Sequence, residues 1–167
     1  MIYKTSMDKV TKGITIGVTI LFAVIIIAQY NILKDTSHTI PNYTTITLLI
    51  LYFITFAFRP ISYEITDELL IVHRIFKAVK ISKNSIKSVE LIDKDKIRPA
   101  LRTFGVGGVF GYYGKFANFK MGTMTWYATR KNNTVLVLTK DNKKIILTPN
   151  DPVNFVHEFE LHSSVKS

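Results

Sequence analysis

Residues 102–130 read RTFGVGGVFGYYGKFANFKMGTMTWYATR, and this stretch decides how the rest of the chain is interpreted. It holds six of the chain's 8 glycines together with eight aromatic residues, and it contains no acidic residue. Glycines this frequent disfavour a helix, and the aromatic side chains are too many for a flexible linker. The segment therefore needs a surface to pack on, which can be its own domain, a bilayer or a protein partner.

The composition indicates an apolar chain with a basic second part. Of the 167 residues, 47% are hydrophobic, and the formal net charge is +10. From residue 59 onward there are 18 Lys and Arg against 10 Asp and Glu, a balance that fits nucleic acid, an anionic membrane surface or simple solubility. Cysteine is absent, and this excludes disulfides, thiolate metal sites and cysteine nucleophiles.

Two uncharged apolar runs predict a transmembrane helical hairpin, at residues 14–33 and 40–58. As a helix the first run is about 30 Å long, the thickness of the hydrocarbon core. A signal peptide is the alternative for this run, but no small-residue cleavage site follows it and its apolar part is too long. We therefore predict that residues 1–59 form an N-terminal tail and a retained two-helix anchor.

The positive charges around the two runs predict the orientation of the anchor. Lys4, Lys9 and Lys12 precede the first run, Lys34 alone lies in the loop before residue 41, and Arg59 opens a basic stretch after the second run. Because such charges stay in the cytoplasm, both termini are expected there, with a short outer loop at residues 34–41. Neither run carries a central charge, so an anchor is expected rather than a channel.

After Arg59-Pro60 ends the second helix, the pattern changes to the alternation of β-strands. The inner face of the strand at 86–93 is expected to carry Val89 and Leu91. Short strands joined by tight turns predict an antiparallel sandwich or barrel. The predicted strands are residues 61–66, 69–76, 77–82, 86–93, 134–140 and 144–148.

A helix is predicted at the end of the chain. Asp151 can cap its first turn, and Pro152 suits the first helical position. Phe155, Val156 and Phe159 then form one apolar stripe over about three turns. Seven or so strands with one amphipathic helix to close them are thus expected over residues 60–167.

Four stretches of this part form a recognisable set: ITDELLIVHR (65–74), RTFGVGGVFGYYGKF (102–116), MTWYAT (124–129) and LTP (147–149). They resemble the bacterial PH-domain family of small membrane-anchored proteins. The resemblance covers about residues 60–159 and implies a mainly-β PH-like barrel closed by its C-terminal helix, on the bacterial cytoplasmic (inner) membrane. The resemblance supplies no function. The basic motif with which eukaryotic PH domains bind phosphoinositides is not recognisable, so inositol-lipid binding is not expected.

The segment at residues 102–127 admits two interpretations. In the structural one, Phe104, Phe110 and Phe116 fill the barrel while glycines permit tight bends and close chain approach. In the functional one, the segment lies at the bilayer interface or grips a partner, and its aromatic and basic residues meet headgroups. The candidate contact residues are Arg102, Phe104, Phe110, Tyr112, Tyr113, Lys115, Phe116, Lys120 and Trp126.

No motif for catalysis, a metal or a cofactor is recognised. The glycine run matches a dinucleotide fingerprint only in part, because Phe110 stands at the third glycine position, and no phosphate-binding Lys-Ser pair is present. Of the four histidines, His38, His73, His157 and His162, only His157 has a partner near metal-ligand spacing, Glu158 or Glu160, and this signal is weak. The lysines are spread along the chain rather than condensed in one stripe, which disfavours nucleic-acid binding.

The sequence thus predicts a non-catalytic, membrane-anchored PH-like module for binding or scaffolding. Through segment 102–127 it is expected to contact anionic lipid or a protein partner at the cytoplasmic surface. The alternative is an oligomerisation or adaptor subunit of a larger membrane complex, in which the segment packs on another copy or another protein. A membrane-associated enzyme comes third, since it would need a cleft with a perturbed titratable group.

Overall fold

The computed structural model describes residues 1–32 and 39–164, with side chains described as far as residue 161. A one-turn 3₁₀ helix at Lys83–Ser85 joins two of the strands. The helices and strands in chain order are β1 (Ile2–Lys4), α1 (Lys9–Ile32), α2 (Thr39–Ala57), β2 (Pro60–Ile65), β3 (Leu69–Arg74), β4 (Val79–Ser82), β5 (Ile86–Ile92), α3 (Lys94–Ile97), β6 (Leu101–Gly107), β7 (Tyr112–Asn118), β8 (Gly122–Ala128), β9 (Thr134–Thr139), β10 (Lys144–Leu147) and α4 (Pro152–Ser164).

The two apolar runs form the long helices α1 and α2. Asp8 caps α1, because its Oδ1 accepts a hydrogen bond from the Thr11 amide at 2.7 Å. Both helices are long and apolar enough to cross a membrane, and only 11% of the most apolar window of each is buried in the protein. A core helix of a soluble protein would be mostly buried, so this exposure suggests membrane association. Most of the expected outer loop falls on residues 33–38, outside the described residues.

The N-terminal tail, which the sequence assigned to the anchor unit 1–59, contributes a strand to the domain. β1 pairs antiparallel with β2, with Ile2 opposite Glu64 and Lys4 opposite Ser62. The Tyr3 ring is buried and packs edge-on against Phe155 at a centroid distance of 5.1 Å. A division at residue 59 would therefore separate two paired strands of one sheet, and the hairpin is an insertion between them.

The strands form two sheets. The first sheet has the order β1-β2-β3-β4, and the second has the order β5-β9-β10-β8-β7-β6. All neighbours are antiparallel except β8 and β10, which are parallel. Among the described residues no strand pairing connects the two sheets, and the 3₁₀ turn after β4 joins them in the chain. The expected mainly-β domain with its C-terminal helix is present, but backbone pairing among the described residues does not close the expected barrel.

Two apolar cores lie on opposite faces of the second sheet. One core is shared with the first sheet and α4, and it contains Tyr63 and Phe155. The other core lies under α3 and contains Phe116 and Trp126. β9 reads TVLVLT and is buried on both faces, which explains a continuous apolar run where a one-sided strand would alternate.

The prediction for the inner face of β5 was wrong at one position. Val89 is buried, whereas Leu91 is half exposed and Ile92 is buried instead. From Ser88 to Ile92 the pairing of β5 with β9 is regular, so Leu91 lies on the same face as Val89 but outside the core there, whereas Ile92 faces the core under α3. The predicted cap of α4 is confirmed, since Asp151 Oδ1 accepts a hydrogen bond from the Asn154 amide at 3.0 Å.

Candidate functional site

Segment 102–127 folds as the three-stranded meander β6–β7–β8, and its first turn packs on the helical hairpin. Phe110 lies in this turn at φ 57°, and its amide donates to Thr15 Oγ1 of α1 at 2.9 Å. The Phe110 ring meets Tyr52 and Phe56 of α2 edge-on, at centroid distances of 5.1 and 5.2 Å. Gly108 approaches Ile14 so closely that a Cβ would lie 2.9 Å from that side chain. Part of the segment therefore packs on the chain's own hairpin.

A second contact fixes β7 to the end of α2. The Tyr113 hydroxyl donates a hydrogen bond to the Thr55 carbonyl oxygen, and the ring is buried. Burial raises the pKa of the Tyr113 hydroxyl, so it remains a donor at neutral pH. The Arg59 guanidinium lies 4.4 Å from the Phe56 ring centroid and 5.9 Å from that of Phe110, which adds a cation–π contact at the same junction.

Two glycines allow β6 and β7 to approach each other within the meander. Gly105 and Gly114 are paired, with φ of 109° and 125°. A Cβ on Gly105 would lie 2.3 Å from the Tyr113 carbonyl oxygen, and a Cβ on Gly114 would lie 2.3 Å from that of Phe104. Only glycine fits such a pair, so here the structural interpretation of the glycines is correct.

The nine predicted contact residues lie in different surroundings in the structure. Five of them are buried: Phe110 and Tyr113 at the hairpin, and Tyr112, Phe116 and Trp126 in the core under α3. In the described structure these five do not form a free surface. The other four, Arg102, Phe104, Lys115 and Lys120, are exposed.

One face of the meander borders a cleft beside α2, named here the α2 cleft. Its volume is about 880 Å³, and its apolar wall includes Leu51 and Ile54 of α2 and Phe104 and Val106 of β6. Lys115 contributes positive charge to the same cleft. Phe104 is 77% exposed, so a large aromatic side chain is available for contact at the foot of the hairpin.

The opposite face of the meander borders a second, basic cavity of about 570 Å³. Arg102 reaches this cavity from β6, on the face opposite to that of Phe104, because the pairing of β6 with β7 shifts register between these two residues. Arg98 and Lys131, which the sequence did not single out, also line it. Both lie in connecting segments outside 102–127, and no motif in the sequence marks them.

The hairpin residues that receive the meander were also missed by the sequence interpretation. A signal was present, because Thr11, Thr15 and Thr19 recur every four residues and so share one face of α1. Thr11 is fully buried, and Thr19 meets the Tyr52 hydroxyl at 2.7 Å. A polar stripe along an apolar helix indicates a packed face, and here it faces α2 and the meander.

The described residues contain no group of three or more His, Asp and Glu side chains that could hold a metal ion. His73 Nε2 lies 2.7 Å from Glu64 Oε2, and the two side chains sit partly exposed on neighbouring strands. This pair is an ordinary cross-strand contact of the first sheet.

Two sheets that share a core with a C-terminal helix define a PH-like domain. A sequence profile of the bacterial PH domain family matches residues 61–163, which is more than half of the chain, and the chain belongs to this family. The predicted resemblance is thereby confirmed. Domains of this family are typically non-catalytic, and the match suggests a binding or scaffolding module. Searches of curated proteins and of solved structures found no match.

Proposed function

We propose that this protein is a non-catalytic binding module that its hairpin holds against the cytoplasmic face of the bacterial inner membrane. In this proposal α1 and α2 both span the bilayer, and both termini lie in the cytoplasm. The PH-like domain presents the α2 cleft to anionic headgroups or to a protein partner at the membrane surface.

The pairing of β1 with β2 is the observation that carries the proposal. β1 precedes the hairpin and β2 follows it, and the two strands lie side by side. Both ends of the hairpin are therefore on the same side of any membrane that it crosses. Lys9, Lys12 and Arg59 lie at this end, which favours the cytoplasmic side.

The α2 cleft supports contact with lipid. Leu51 and Ile54 belong to the apolar surface of α2, so the cleft is continuous with the surface that would face lipid tails. In this proposal Phe104 lies at the interfacial level, and Lys115 and Arg74 of the same cleft add positive charge. Each basic residue near an anionic surface contributes about 1 kcal/mol.

A site-specific label tests this contact. The chain has no cysteine, so Phe104→Cys can be labelled uniquely with an environment-sensitive fluorophore in the full-length protein. The matched control is Phe119→Cys, a fully exposed position in the turn at the far end of β7. In nanodiscs that contain phosphatidylglycerol, brominated lipid should quench the label at 104 and leave the label at 119 bright. A label at 104 that stays as bright as the control would contradict lipid contact.

The orientation is tested separately. Reporters active only in the cytoplasm or only in the periplasm are fused after residue 167 in the full chain. Cytoplasmic activity is expected. Periplasmic activity would refute the proposed topology whatever the label at position 104 reports.

The exposed edge of the second sheet favours an adaptor or oligomerisation subunit as the second candidate. β6 is an edge strand, and Leu101 and Phe104 are 70% and 77% exposed on it. An edge strand of this kind can pair with a strand of another chain. Native mass after mild detergent extraction distinguishes the candidates, since a stable oligomer that Phe104→Lys dissociates would favour the second.

A further inference from the structure

The basic cavity on the α3 side of the meander is built from several separate elements. Arg98 comes from the loop after α3, Arg102 from β6, Tyr112 from β7, Trp126 from β8 and Lys131 from the turn after β8. Arg98 is held in place because its Nη2 donates to the Lys131 carbonyl oxygen at 2.9 Å. The cavity therefore has defined walls and is not a chance gap between mobile side chains.

Buried donors line this cavity without acceptors. Tyr112 and Trp126 are 2% and 1% exposed, and neither the Tyr112 hydroxyl nor Trp126 Nε1 has a hydrogen-bond partner among the described residues. Arg98 Nε is likewise buried without a partner there. The indole N–H and the guanidinium can only donate, so these groups require an acceptor. A buried donor that lacks one destabilises the fold. These atoms lie just behind the cavity wall without accessible surface, so an acceptor reaches them only if the wall shifts.

The charge of the cavity favours an anion. Three cationic side chains line it, and no carboxylate belongs to its described lining. Lys131 Nζ lies 4.5 Å from the centroid of the Tyr112 ring, where a cation–π contact holds it over the cavity wall. The carboxylate of Asp8 lies nearby, but its oxygens accept from the amides of Thr11 and Lys131. The three cations repel one another, and a bound anion would remove that repulsion.

We propose that this cavity binds a phosphate group, carried either by a lipid headgroup or by a small soluble molecule. Arg98, Arg102 and Lys131 neutralise its charge. In the bound state a small shift of the cavity wall lets the buried Tyr112 hydroxyl and Trp126 Nε1 donate to its oxygens. Three or more acceptor oxygens on one centre match this set of donors better than a single carboxylate does. The aromatic floor of Phe116 and Trp126, whose centroids are 4.9 Å apart, suits the organic part of the ligand.

The position of the cavity is compatible with both sources of phosphate. Gly107 lines it, and the next residue, Gly108, contacts Ile14 near the start of α1. The cavity thus lies on the hairpin side of the domain and is open to solvent. The inference goes beyond the proposed function, because binding here does not require Phe104 to touch lipid.

The chain contains an intrinsic fluorescent probe for this cavity. Trp126 is the one tryptophan of the chain, so its fluorescence reports the cavity directly. Full-length protein in phosphatidylcholine nanodiscs is titrated with inorganic phosphate, with chloride at equal ionic strength as the control. A parallel arm replaces part of the phosphatidylcholine with phosphatidic acid. A saturable change with phosphate indicates a soluble source, whereas a change in the phosphatidic acid arm alone indicates a lipid source.

Charge-removing variants decide whether the change arises in the cavity. Arg98→Gln combined with Lys131→Gln should weaken binding about tenfold for each cation removed. The matched control is Lys87→Gln with Lys140→Gln, which removes the same charge near β5 at the opposite edge of the sheet. Tyr112→Phe removes the hydroxyl and keeps the ring, and it should weaken binding about fivefold.

Three results would overturn the proposal. The first is no fluorescence change in either arm, and the second is an equal change with chloride. The third is binding that the double variant and its control weaken equally. Thermal unfolding of each variant shows whether it is folded. If the double variant does not fold, the Tyr112→Phe titration alone decides, because a full-strength response would rule out the cavity.

Discussion

The two halves of the second sheet differ in how they use the same strand geometry. β9 and β10 are buried on both faces, and their side chains belong to the two cores. β6, β7 and β8 combine glycines, aromatic rings and cations, and they border the α2 cleft on one face and the basic cavity on the other. Where neighbouring elements cover both faces, the sheet is structural. Where it extends past its covering elements, it presents surfaces on which a ligand or partner can bind.

The largest effect is expected from Gly114→Ala, which disrupts the close approach of β6 and β7 in the half of the sheet formed by β6, β7 and β8. A new Cβ would meet the Phe104 carbonyl oxygen at 2.3 Å, and φ of 125° is strained for alanine. The clash and the strain together should lower the free energy of unfolding by about 4 kcal/mol. Chemical unfolding measures this. Gly122→Ala, with φ of 67° and open space around it, should cost about 1 kcal/mol, and equal costs would contradict the argument.

A pair of apolar truncations compares the two halves directly. Leu147 of β10 is fully buried, and Leu147→Ala should destabilise the protein by about 3 kcal/mol through the cavity that it leaves. Phe104→Ala removes a larger side chain from β6, yet it should change stability by less than about 0.5 kcal/mol because Phe104 is exposed. Urea unfolding of both variants tests the contrast. A large loss of stability in Phe104→Ala would mean that the exposed side chains of β6, β7 and β8 also contribute to stability.

A smaller effect is expected where the meander meets α1. Thr15→Val keeps the shape of the side chain but removes the acceptor of the Phe110 amide, which should cost about 1 to 2 kcal/mol. Hydrogen exchange at Phe110 should accelerate accordingly. Thr47→Val is the control, since Thr47 also bonds the carbonyl four residues earlier but is exposed on α2. If the two variants behaved alike, the contact with the meander would contribute nothing to stability.

The smallest effect is expected at Asp8, which links α1 to the turn after β8. Burial raises the pKa of its carboxyl, but hydrogen bonds from the Thr11 and Lys131 amides and the Lys131 charge outweigh it, so the pKa is lowered. The carboxylate therefore stabilises the fold above its unfolded pKa of about 3.9, and this is lost as pH falls through the lower folded pKa.

Asp8→Ala should cost about 1 kcal/mol at pH 7 and almost nothing once the carboxyl is protonated. Unfolding measured at pH 7 and at about pH 2.5 tests this dependence. Asp8→Asn keeps a capping oxygen and serves as the control. A cost for Asp8→Ala that did not change with pH would mean that the carboxylate charge has no part in it.

Much of the fold followed from local pattern in the sequence. The alternation in β2 to β5, the short apolar runs of β9 and β10, the cap at Asp151 and the two long apolar runs are properties of short windows, and the structure contains each of these elements. β1 was missed because three residues are too few to show a period. Leu91 was misassigned because alternation gives the face of a residue but not how far the core on that face extends.

The surroundings of the candidate site depended on long-range contacts. The sequence singled out the correct segment, but it did not separate Phe104, which is exposed, from Phe110, which packs on α2. That difference depends on where the hairpin lies relative to the domain. Arg98 and Lys131 are likewise distant in sequence, and only the fold brings them together at one cavity.

The insertion of the hairpin between β1 and β2 also has a consequence for the order of synthesis. During translation β1 emerges first and has no partner until α1, α2 and then β2 have been made. Packing of α1 on α2, through contacts such as Thr19 with Tyr52, brings the start and the end of this long insertion together. The entropic cost of closing the β1–β2 loop then falls. Assembly of the helices thus helps to complete the first sheet, and a chain that started at residue 60 would lack β1.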